Sequence, residues 1–353
     1  MSEKLKPTIR EIKTSGATIT GIVSCVPSNV VQNSYFIDRL GNNAVNDVVK
    51  MIGVQKRHWS CAETSTRDLC CAAGKRLLTG LSWSPDSVDA LIFVSQTPDY
   101  ILPASACVLH SDLGLSKTTI AFDINLGCSG YPYAVWLGMT LVQSGSVKRV
   151  LLAVGDTISK IVDQDDRSTA LLFGDAGTVT AIESTPDQDA FFVLGTDGAG
   201  VSNLIVPSGS FKDYPQGEDT RMKGKDSRCL FMDGGEVFNF TLSSVPKLFE
   251  GIIEFSQKPL VTYDYFLFHQ ANLFMLKHLA KKLKISNEKM PINIEEYGNT
   301  SCASIPLLIT TRLKAQLLRR SLRIAMLGFG VGYSWGAASL EIGPLKYVEA
   351  IEI

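Results

Sequence analysis

An internal repeat is the sequence feature that most limits how this chain can fold. Asp89-Ala-Leu-Ile-Phe-Val-Ser-Gln96 resembles Asp264-Tyr-Phe-Leu-Phe-His-Gln270, about 175 residues further on. Arg149-Val-Leu-Leu-Ala-Val-Gly155 resembles Arg323-Ile-Ala-Met-Leu-Gly328 at nearly the same spacing, and the turn at Cys128 corresponds to the turn at Asn299. Such apolar runs are typical of strands buried on both faces. The repeat therefore predicts two similar α/β halves, residues 1–190 and 191–353, about a pseudo-twofold axis.

Composition narrows the class of protein. The 353 residues are 45% hydrophobic with a net charge of −1, which gives no electrostatic reason to expect nucleic acid or a membrane as partner. Eight scattered cysteines without a CxxC pair, and four histidines, indicate neither a disulfide framework nor a zinc site. The charged N-terminus has no apolar core of signal-peptide length, so a cytoplasmic protein is expected.

Cys128 is the first candidate for chemistry. The stretch from Asp123 to Gly145 predicts a short buried strand, a glycine turn, and a helix that starts at or just after Cys128. Unpaired N–H groups and the positive end of the helix dipole at that position favour the thiolate, the nucleophilic form of cysteine. Gly127 and Gly130 leave room for a substrate carbonyl beside the sulfur. The alternative is a buried cysteine that only packs.

Patterns elsewhere predict the surrounding elements. A helix is expected over Ser65 to Thr79, and a polar loop is expected from about residue 26 to 50. Residues 170–184 predict two strands about a glycine turn, and residues 201–230 predict a surface insertion. The glycine-rich run 328–336 predicts a loop between two strands; because it opens no helix, a dinucleotide site is not indicated. Such a loop can instead offer a backbone N–H near the sulfur.

His269 and Asn299 also follow predicted strands or turns in the second half. Considered alone, His269 could be structural and Asn299 could be a helix cap. With Cys128 they would supply a thiolate, an imidazole and an amide donor, a set suited to thioester chemistry. The ends of buried strands meet at one edge of an α/β sheet, so the three are expected to converge.

With these residues in this order, the chain resembles the β-ketoacyl-acyl carrier protein synthase III family of thiolase-fold condensing enzymes. The resemblance covers residues 17–345. It rests on the ordered motifs GVQKRHW, DINLGCSG, STALLFGDAGTV, MDGGEVFNFTL, FHQAN, YGNTSCASIP and GFGVGYSWG. It implies a five-layer α-β-α-β-α fold.

The family's catalytic triad would fall on Cys128, His269 and Asn299, and its oxyanion hole on the backbone N–H groups of Cys128 and Gly332. Cys128 would take an acyl group from coenzyme A or acyl carrier protein. His269 and Asn299 would then stabilise the enolate formed when malonyl-acyl carrier protein loses carbon dioxide. The resemblance implies a homodimer in fatty acid or related biosynthesis, with no metal and no permanently bound cofactor.

The sequence departs from the family at positions that receive substrate. The tryptophan and arginine that hold coenzyme A before the GVQKR motif are absent from NNAVNDVVKMIG, and the basic residue after FHQANL is Phe274, although Lys277, Lys281 and Lys282 follow it. Leu102 stands where an aromatic residue closes the acyl pocket across the dimer; a smaller gate would admit a longer or branched acyl group.

Two alternatives remain open. One is an acyltransferase that passes the acyl group from Cys128 to an alcohol or amine, with His269 as general base. The other is a catalytically silent partner subunit, which the complete triad argues against.

Overall fold

The computed structural model describes residues 9–215 and 219–353. Within these residues the strands are β1 (Arg10–Val26), β2 (Val30–Gln32), β3 (Lys56–His58), β4 (Ala90–Val94), β5 (Ile120–Ile124), β6 (Arg149–Asp156), β7 (Ala176–Thr196), β8 (Leu204–Ile205), β9 (Phe231–Met232), β10 (Tyr265–Phe268), β11 (Leu322–Gly330), β12 (Ser334–Ile342) and β13 (Tyr347–Glu352). The helices are α1 (Ile37–Leu40), α2 (Asn42–Ile52), α3 (Thr66–Leu81), α4 (Ser105–Asp112), α5 (Gly130–Gln143), α6 (Gly234–Ser256), α7 (Leu273–Leu283), α8 (Ile294–Tyr297), α9 (Ser304–Arg312) and α10 (Lys314–Leu317).

A mixed sheet of nine strands organises the molecule. Its order is β10-β11-β12-β7-β6-β4-β5, and β1 pairs with both β7 and β13. The long strands β1 and β7 run antiparallel to each other across both halves. Residues 176–183 of β7 pair with β6, whereas residues 191–196 pair with β12. The predicted boundary at residue 190 lies within β7, and the division of the chain at that point stays a proposal.

Helices and strands alternate in layers, as predicted. Helices α5 and α9 are buried at the centre, where α5 packs on β6, β7 and β12 and α9 packs on β1 and β10. The largest apolar cluster surrounds these two helices. Helices α3 and α4 cover the outer face of the first half, and α6 and α7 cover that of the second half. Two parts of the sheet lie between these helices: β5, β4 and β6 with the first part of β7, and β10, β11 and β12 with its last part. With the three sets of helices they form the five layers of an α-β-α-β-α arrangement.

The repeat in the sequence corresponds to repeated local structure. In the first half, β4 pairs in parallel with β6. In the second half, β10 pairs in parallel with β11 in the same way. The Asp89 carboxylate accepts a hydrogen bond from the backbone N–H of Arg149 at 3.0 Å. In the second half, Asp264 accepts from the backbone N–H of Arg323 at 2.8 Å. The same aspartate therefore begins the same strand pair twice.

Several local predictions were wrong. The region predicted as a polar loop contains α2, which ends in a left-handed turn at Gly53. Residues 170–175 are buried but form no strand, apart from a single bridge between Phe173 and Asn299. Gly174 passes so close to the backbone of Tyr297 that a side chain there would collide with it. The glycine-rich run is mostly strand, since β11 continues to Gly330 and β12 begins at Ser334. In contrast, the predicted helix at Ser65 is confirmed as α3, which Ser65 and Asp68 start with a capping box.

Within the described ranges, no helix is both long and apolar enough to cross a bilayer.

Candidate active site

Cys128 lies on the tight turn that connects β5 to α5. The helix begins at Gly130, two residues after the cysteine, close to the predicted start. β5 was predicted to be buried, but it is the edge strand of the sheet and its side chains are half-buried or exposed. The Cys128 side chain itself is buried.

The sulfur of Cys128 packs directly against strand β11. A Cβ atom placed on Gly330 would lie 2.9 Å from the sulfur, and one placed on Gly328 would lie 2.8 Å from the Cys128 carbonyl oxygen. Both distances are shorter than real Cβ contacts. The glycines are therefore needed for the close approach of the strand to the cysteine, rather than for a loop.

Burial governs the charge state of the thiol. Removal from water, followed by the negative charge of Asp156, raises the pKa of Cys128 to about 11. Backbone N–H groups of Val331 and of Cys128 itself, and the Ser301 hydroxyl, act in the opposite direction. At Cys128 the effect of burial on the pKa thus outweighs that of the helix N-terminus, which was expected to favour the thiolate.

His269 follows β10, and contacts with Ser304 and Phe329 hold its imidazole ring in place. Its Nδ1 atom is 2.7 Å from the Ser304 hydroxyl at the start of α9, and the ring of Phe329 meets the imidazole edge-on. Burial lowers the pKa of His269 to about 3, so the imidazole is neutral. The Ser304 oxygen also accepts from the backbone N–H of Gln270, at 3.4 Å.

Asn299 is fixed through both its backbone and its side chain. Its N–H donates to the Leu172 carbonyl at 2.9 Å, and its carbonyl accepts from Gly174 at 3.1 Å. The side-chain oxygen accepts from the Ser301 N–H at 2.9 Å, and the amide nitrogen donates to the Ala271 carbonyl at 3.3 Å. One amide hydrogen is left to donate, since an amide nitrogen carries two. Asn299 is not a helix cap.

A backbone donor faces the sulfur from the turn Val331–Tyr333 between β11 and β12. It is the N–H of Val331, one residue before Gly332, and the role of Gly332 in the oxyanion hole stays a prediction. Successive N–H groups in a tight turn point in different directions, so a shift of one residue selects a different donor.

One cavity of about 630 Å³ brings Cys128, His269 and Asn299 together. Its walls are mainly apolar, with α2 on one side and the start of α6 and α7 on the other. The other lining residues are Ala44, Asp47, Val48, Met51, Ile52, Arg167, Ser168, Leu172, Phe173, Leu204, Met232, Gly234, Gly235, Val237, Phe238, Thr241, Ala271, Asn272, Phe274, Met275, Phe329 and Gly330. Its size suits a small ligand with an extended arm.

Leu102 does not line this cavity within its own chain. It is 78% exposed, on a loop with the exposed side chains of Tyr100 and Ile101. No cluster of histidine, cysteine and carboxylate side chains in the described part of the chain could hold a metal ion.

Several residues of the site carry no specific signal in the sequence. Ser304 was quoted only as part of a motif, although it holds His269. Arg167 lines the cavity from the turn that follows Asp166, and no spacing in the sequence connects it with Cys128. A serine just before an apolar helix is the one signal that could have marked Ser304.

Comparisons with known proteins agree on one family. Residues 122–198 match the family model described as 3-oxoacyl-[acyl-carrier-protein (ACP)] synthase III, and residues 257–342 match the model of its C-terminal part. A putative 3-oxoacyl-[acyl-carrier-protein] synthase 3 of Campylobacter jejuni is 35% identical, with 93% of this chain and 95% of that protein aligned. The β-ketoacyl-[acyl-carrier-protein] synthase III of Lactococcus lactis is 32% identical over 92% of this chain and 99% of its own length.

A solved structure is more similar still. The 3-oxoacyl-(acyl-carrier protein) synthase of Burkholderia xenovorans LB400 is 61% identical, with a TM-score of 0.97 over 98% of this chain and 99% of that chain. An OleA variant of Xanthomonas campestris, 16% identical with a TM-score of 0.78 over 93% and 97% of the two chains, shares the fold alone. The fold of this chain is thus thiolase-like.

Proposed function

This chain belongs to the 3-oxoacyl-[acyl-carrier-protein] synthase III family of condensing enzymes, and we propose that Cys128 carries the acyl group through a two-step condensation. The observation that supports this proposal most is the convergence of Cys128, His269 and Asn299 on one largely apolar cavity. No single element contributes all three, since they follow β5, β10 and α8.

In the first step, Cys128 exchanges its thiol proton for an acyl group. The sulfur attacks the carbonyl of a thioester, the donor leaves as a free thiol that takes the proton, and a new thioester forms on Cys128. The N–H groups of Cys128 and Val331 point toward the sulfur and would hold the oxygen that becomes negative. We propose Val331 for this role in place of Gly332.

In the second step, a malonyl thioester occupies the cavity and loses carbon dioxide. Its carbonyl oxygen gains charge as the enolate forms, and two neutral donors, the imidazole of His269 and the amide of Asn299, would stabilise it. The enolate carbon attacks the acyl carbonyl, the bond from that carbon to the Cys128 sulfur breaks, and the 3-oxoacyl thioester forms. The Cys128 thiolate then takes a proton from water. A neutral imidazole suits a donor, and burial keeps it neutral.

The rim of the cavity favours a carrier-protein donor over free coenzyme A. Coenzyme A carries several negative charges on its nucleotide, and cationic side chains normally bind such groups. Of the residues that line the cavity, Arg167 is the one basic side chain, whereas Asp47 is acidic and Met51 and Phe274 are exposed apolar residues. A carrier protein needs only to pass its uncharged arm along these walls.

Intact-protein mass spectrometry tests the proposal. The enzyme is incubated with matched acyl-coenzyme A and acyl-carrier-protein thioesters, then with malonyl-carrier protein. We expect a Cys128-bound adduct from the carrier protein that malonyl thioester discharges. Cys128→Ala should lose the adduct, and Cys107→Ala, which removes an exposed cysteine, should keep it.

Three other outcomes would change the proposal. Equal labelling by coenzyme A would refute the donor preference. An adduct that clears only with an alcohol or amine would support the acyltransferase alternative. The absence of any adduct would refute the role of Cys128.

We also propose that two copies pair, and that Leu102 of one copy closes the acyl end of the other copy's site. Exposure of three adjacent apolar side chains, Tyr100, Ile101 and Leu102, supports a covered loop. Light scattering should give twice the 38.4 kDa chain mass. A mass equal to that of one chain would refute the pairing of two copies.

A further inference from the structure

Arg57, in the short strand β3, is completely buried, although arginine is among the residues that are almost never fully buried unless paired. In the described part of the chain its guanidinium donates only to neutral oxygens, and its Nε–H has no hydrogen-bond partner. Burial lowers the pKa of Arg57 to about 10, so the group stays charged at neutral pH. A buried charge without an opposite charge reduces stability. Stability alone therefore does not account for a cation at this position, and its contacts indicate another role.

The guanidinium connects two segments that are distant in the sequence. Nη1 donates to the Val31 carbonyl at 3.2 Å, and Nη2 donates to Asn33 Oδ1 at 2.7 Å. These acceptors lie in β2 and directly after it, on the segment that leads to α1 and α2. Nη2 also donates to the Leu171 carbonyl at 2.6 Å, more than a hundred residues further on. Because a guanidinium is planar, it holds acceptors on both sides in one fixed geometry.

Residues 171–175 contact residues 57–59 at every second position. The contacts are the Arg57 guanidinium with the Leu171 carbonyl, Trp59 Nε1 with the Phe173 carbonyl at 2.9 Å, and the Asp175 N–H with the His58 carbonyl at 2.9 Å. The segment 171–175 is thus fixed along one edge by β3 and the residue that follows it, with Arg57 at one end.

The positions in between bind the backbone of Asn299. Its N–H donates to the Leu172 carbonyl, and its carbonyl accepts from the Gly174 N–H. The side chain of Arg57 also packs against this part of the chain. A Cβ atom placed on Gly174 or on Gly298 would lie only 3.2 Å or 3.4 Å from Arg57 Cβ. Arg57 therefore contacts both the residue before Asn299 and one of its hydrogen-bond partners.

We propose that Arg57 is a positioning residue for Asn299. Its guanidinium anchors the segment 171–175 to the segment before α2, and the segment 171–175 fixes the backbone from which the Asn299 amide reaches the cavity. The inference rests on the proposed role of Asn299 as a donor to the enolate. Arg57 does not line the cavity, so acylation of Cys128 should not depend on it.

Arg57→Met tests the proposal, because methionine is unbranched and apolar and has neither the charge nor the donors. We expect the Cys128 adduct to form within about twofold of the wild-type rate and its discharge by malonyl thioester to slow about tenfold, less than the roughly 10²-fold that a displacement of 1 Å can cost. Arg57→Lys keeps the charge and one donor but not the fork, so it should slow discharge less. Arg76→Met, which removes an exposed arginine of α3, is the matched control and should change neither step.

A double variant separates positioning from a general loss of structure. If Arg57 acts through Asn299, Arg57→Met should slow discharge no further in an Asn299→Ala background, where the amide is already absent. Losses that multiply in the double variant would overturn the inference. A loss in acylation equal to the loss in discharge would also overturn it.

Hydrogen exchange followed by mass spectrometry gives a readout that needs no substrate. In Arg57→Met, the backbone N–H groups of Gly174 and Asn299 should exchange about tenfold faster, whereas those of α5 should keep their wild-type rates. If Arg57→Met does not fold, Arg57→Lys decides the question. Unchanged exchange together with unchanged discharge in that folded variant would overturn the inference.

The two readouts distinguish failure of the inference from failure of the proposed function. Normal discharge in Asn299→Ala, with faster exchange in Arg57→Met, would refute the role of Asn299 in condensation and leave the positioning by Arg57 intact. Slow discharge in Asn299→Ala, with wild-type exchange and discharge in Arg57→Met, would refute the positioning alone.

Discussion

Replacement of Gly330 by alanine should block acylation of Cys128 without unfolding the protein. The new Cβ would lie 2.8 Å from Cys128 Cβ and 2.9 Å from the sulfur. Ordinary contacts of this kind are about 3.5–4.0 Å, so the sulfur has to move by roughly 0.6–1.1 Å. Displacement of a reacting atom by about 1 Å can cost roughly 10²-fold in rate. Overpacking by one methyl group typically lowers the free energy of unfolding by about 1–3 kcal/mol, which a domain of this size should survive.

The assay compares the rate of acyl adduct formation with the urea midpoint of unfolding. Gly198→Ala is the matched control, because a Cβ on that exposed glycine would meet nothing within 4 Å. It should acylate normally and change stability by less than about 1 kcal/mol. A folded Gly330→Ala enzyme that acylates at the wild-type rate would refute the packing of strand β11 against the sulfur.

Three further predictions concern separate parts of the account. Because burial raises the pKa of the Cys128 thiol to about 11, its alkylation should accelerate about tenfold per unit between pH 7 and 10; a plateau by pH 8 would contradict this. His269→Ala and Asn299→Ala should still form the acyl adduct but lose roughly 10²–10³-fold in its discharge by malonyl thioester, and equal loss in both steps would argue against separate roles. Ser65→Ala removes the capping box of α3, so chemical denaturation should show about 1 kcal/mol lower stability with unchanged activity; no loss of stability would mean that the cap contributes nothing.

Features that depend on short sequence stretches could be predicted from the sequence. The repeated pattern of an aspartate followed by an apolar run predicted the strands β4 and β10. The glycine turn after β5 predicted that Cys128 lies between a strand and a helix. His269 directly follows a strand, as its apolar neighbours indicated. The structure brings these side chains and Asn299 to one cavity.

Features that depend on distant segments could not be predicted from the sequence. The pKa of Cys128 follows from burial by strands elsewhere in the chain, which outweighs the local helix N-terminus. Helix α2 has several β-branched and asparagine residues with weak helix propensity, and packing of Val45 and Ile52 stabilises it. Ser304 and Ser301 gain their contacts only when α9 lies beside β10 and β6.

The glycine-rich run shows how a pattern can identify a segment without fixing its detail. Three glycines at alternate positions indicate close approach, yet they do not show which N–H faces the sulfur. Because β11 keeps its register with β12 as far as Gly330 and Ser334, the turn itself is Val331–Tyr333. Within that turn, the N–H of Val331 faces the sulfur.

In the proposed mechanism, Cys128 carries an acyl group that is consumed in a decarboxylative condensation. The most direct measurement is a single turnover: enzyme acylated beforehand on Cys128 is mixed with malonyl-carrier protein labelled in its free carboxyl group, and carbon dioxide, residual adduct and product are quantified together. We expect one carbon dioxide released and one 3-oxoacyl thioester formed for each adduct lost. Loss of the adduct without carbon dioxide, or carbon dioxide without the 3-oxoacyl product, would contradict it.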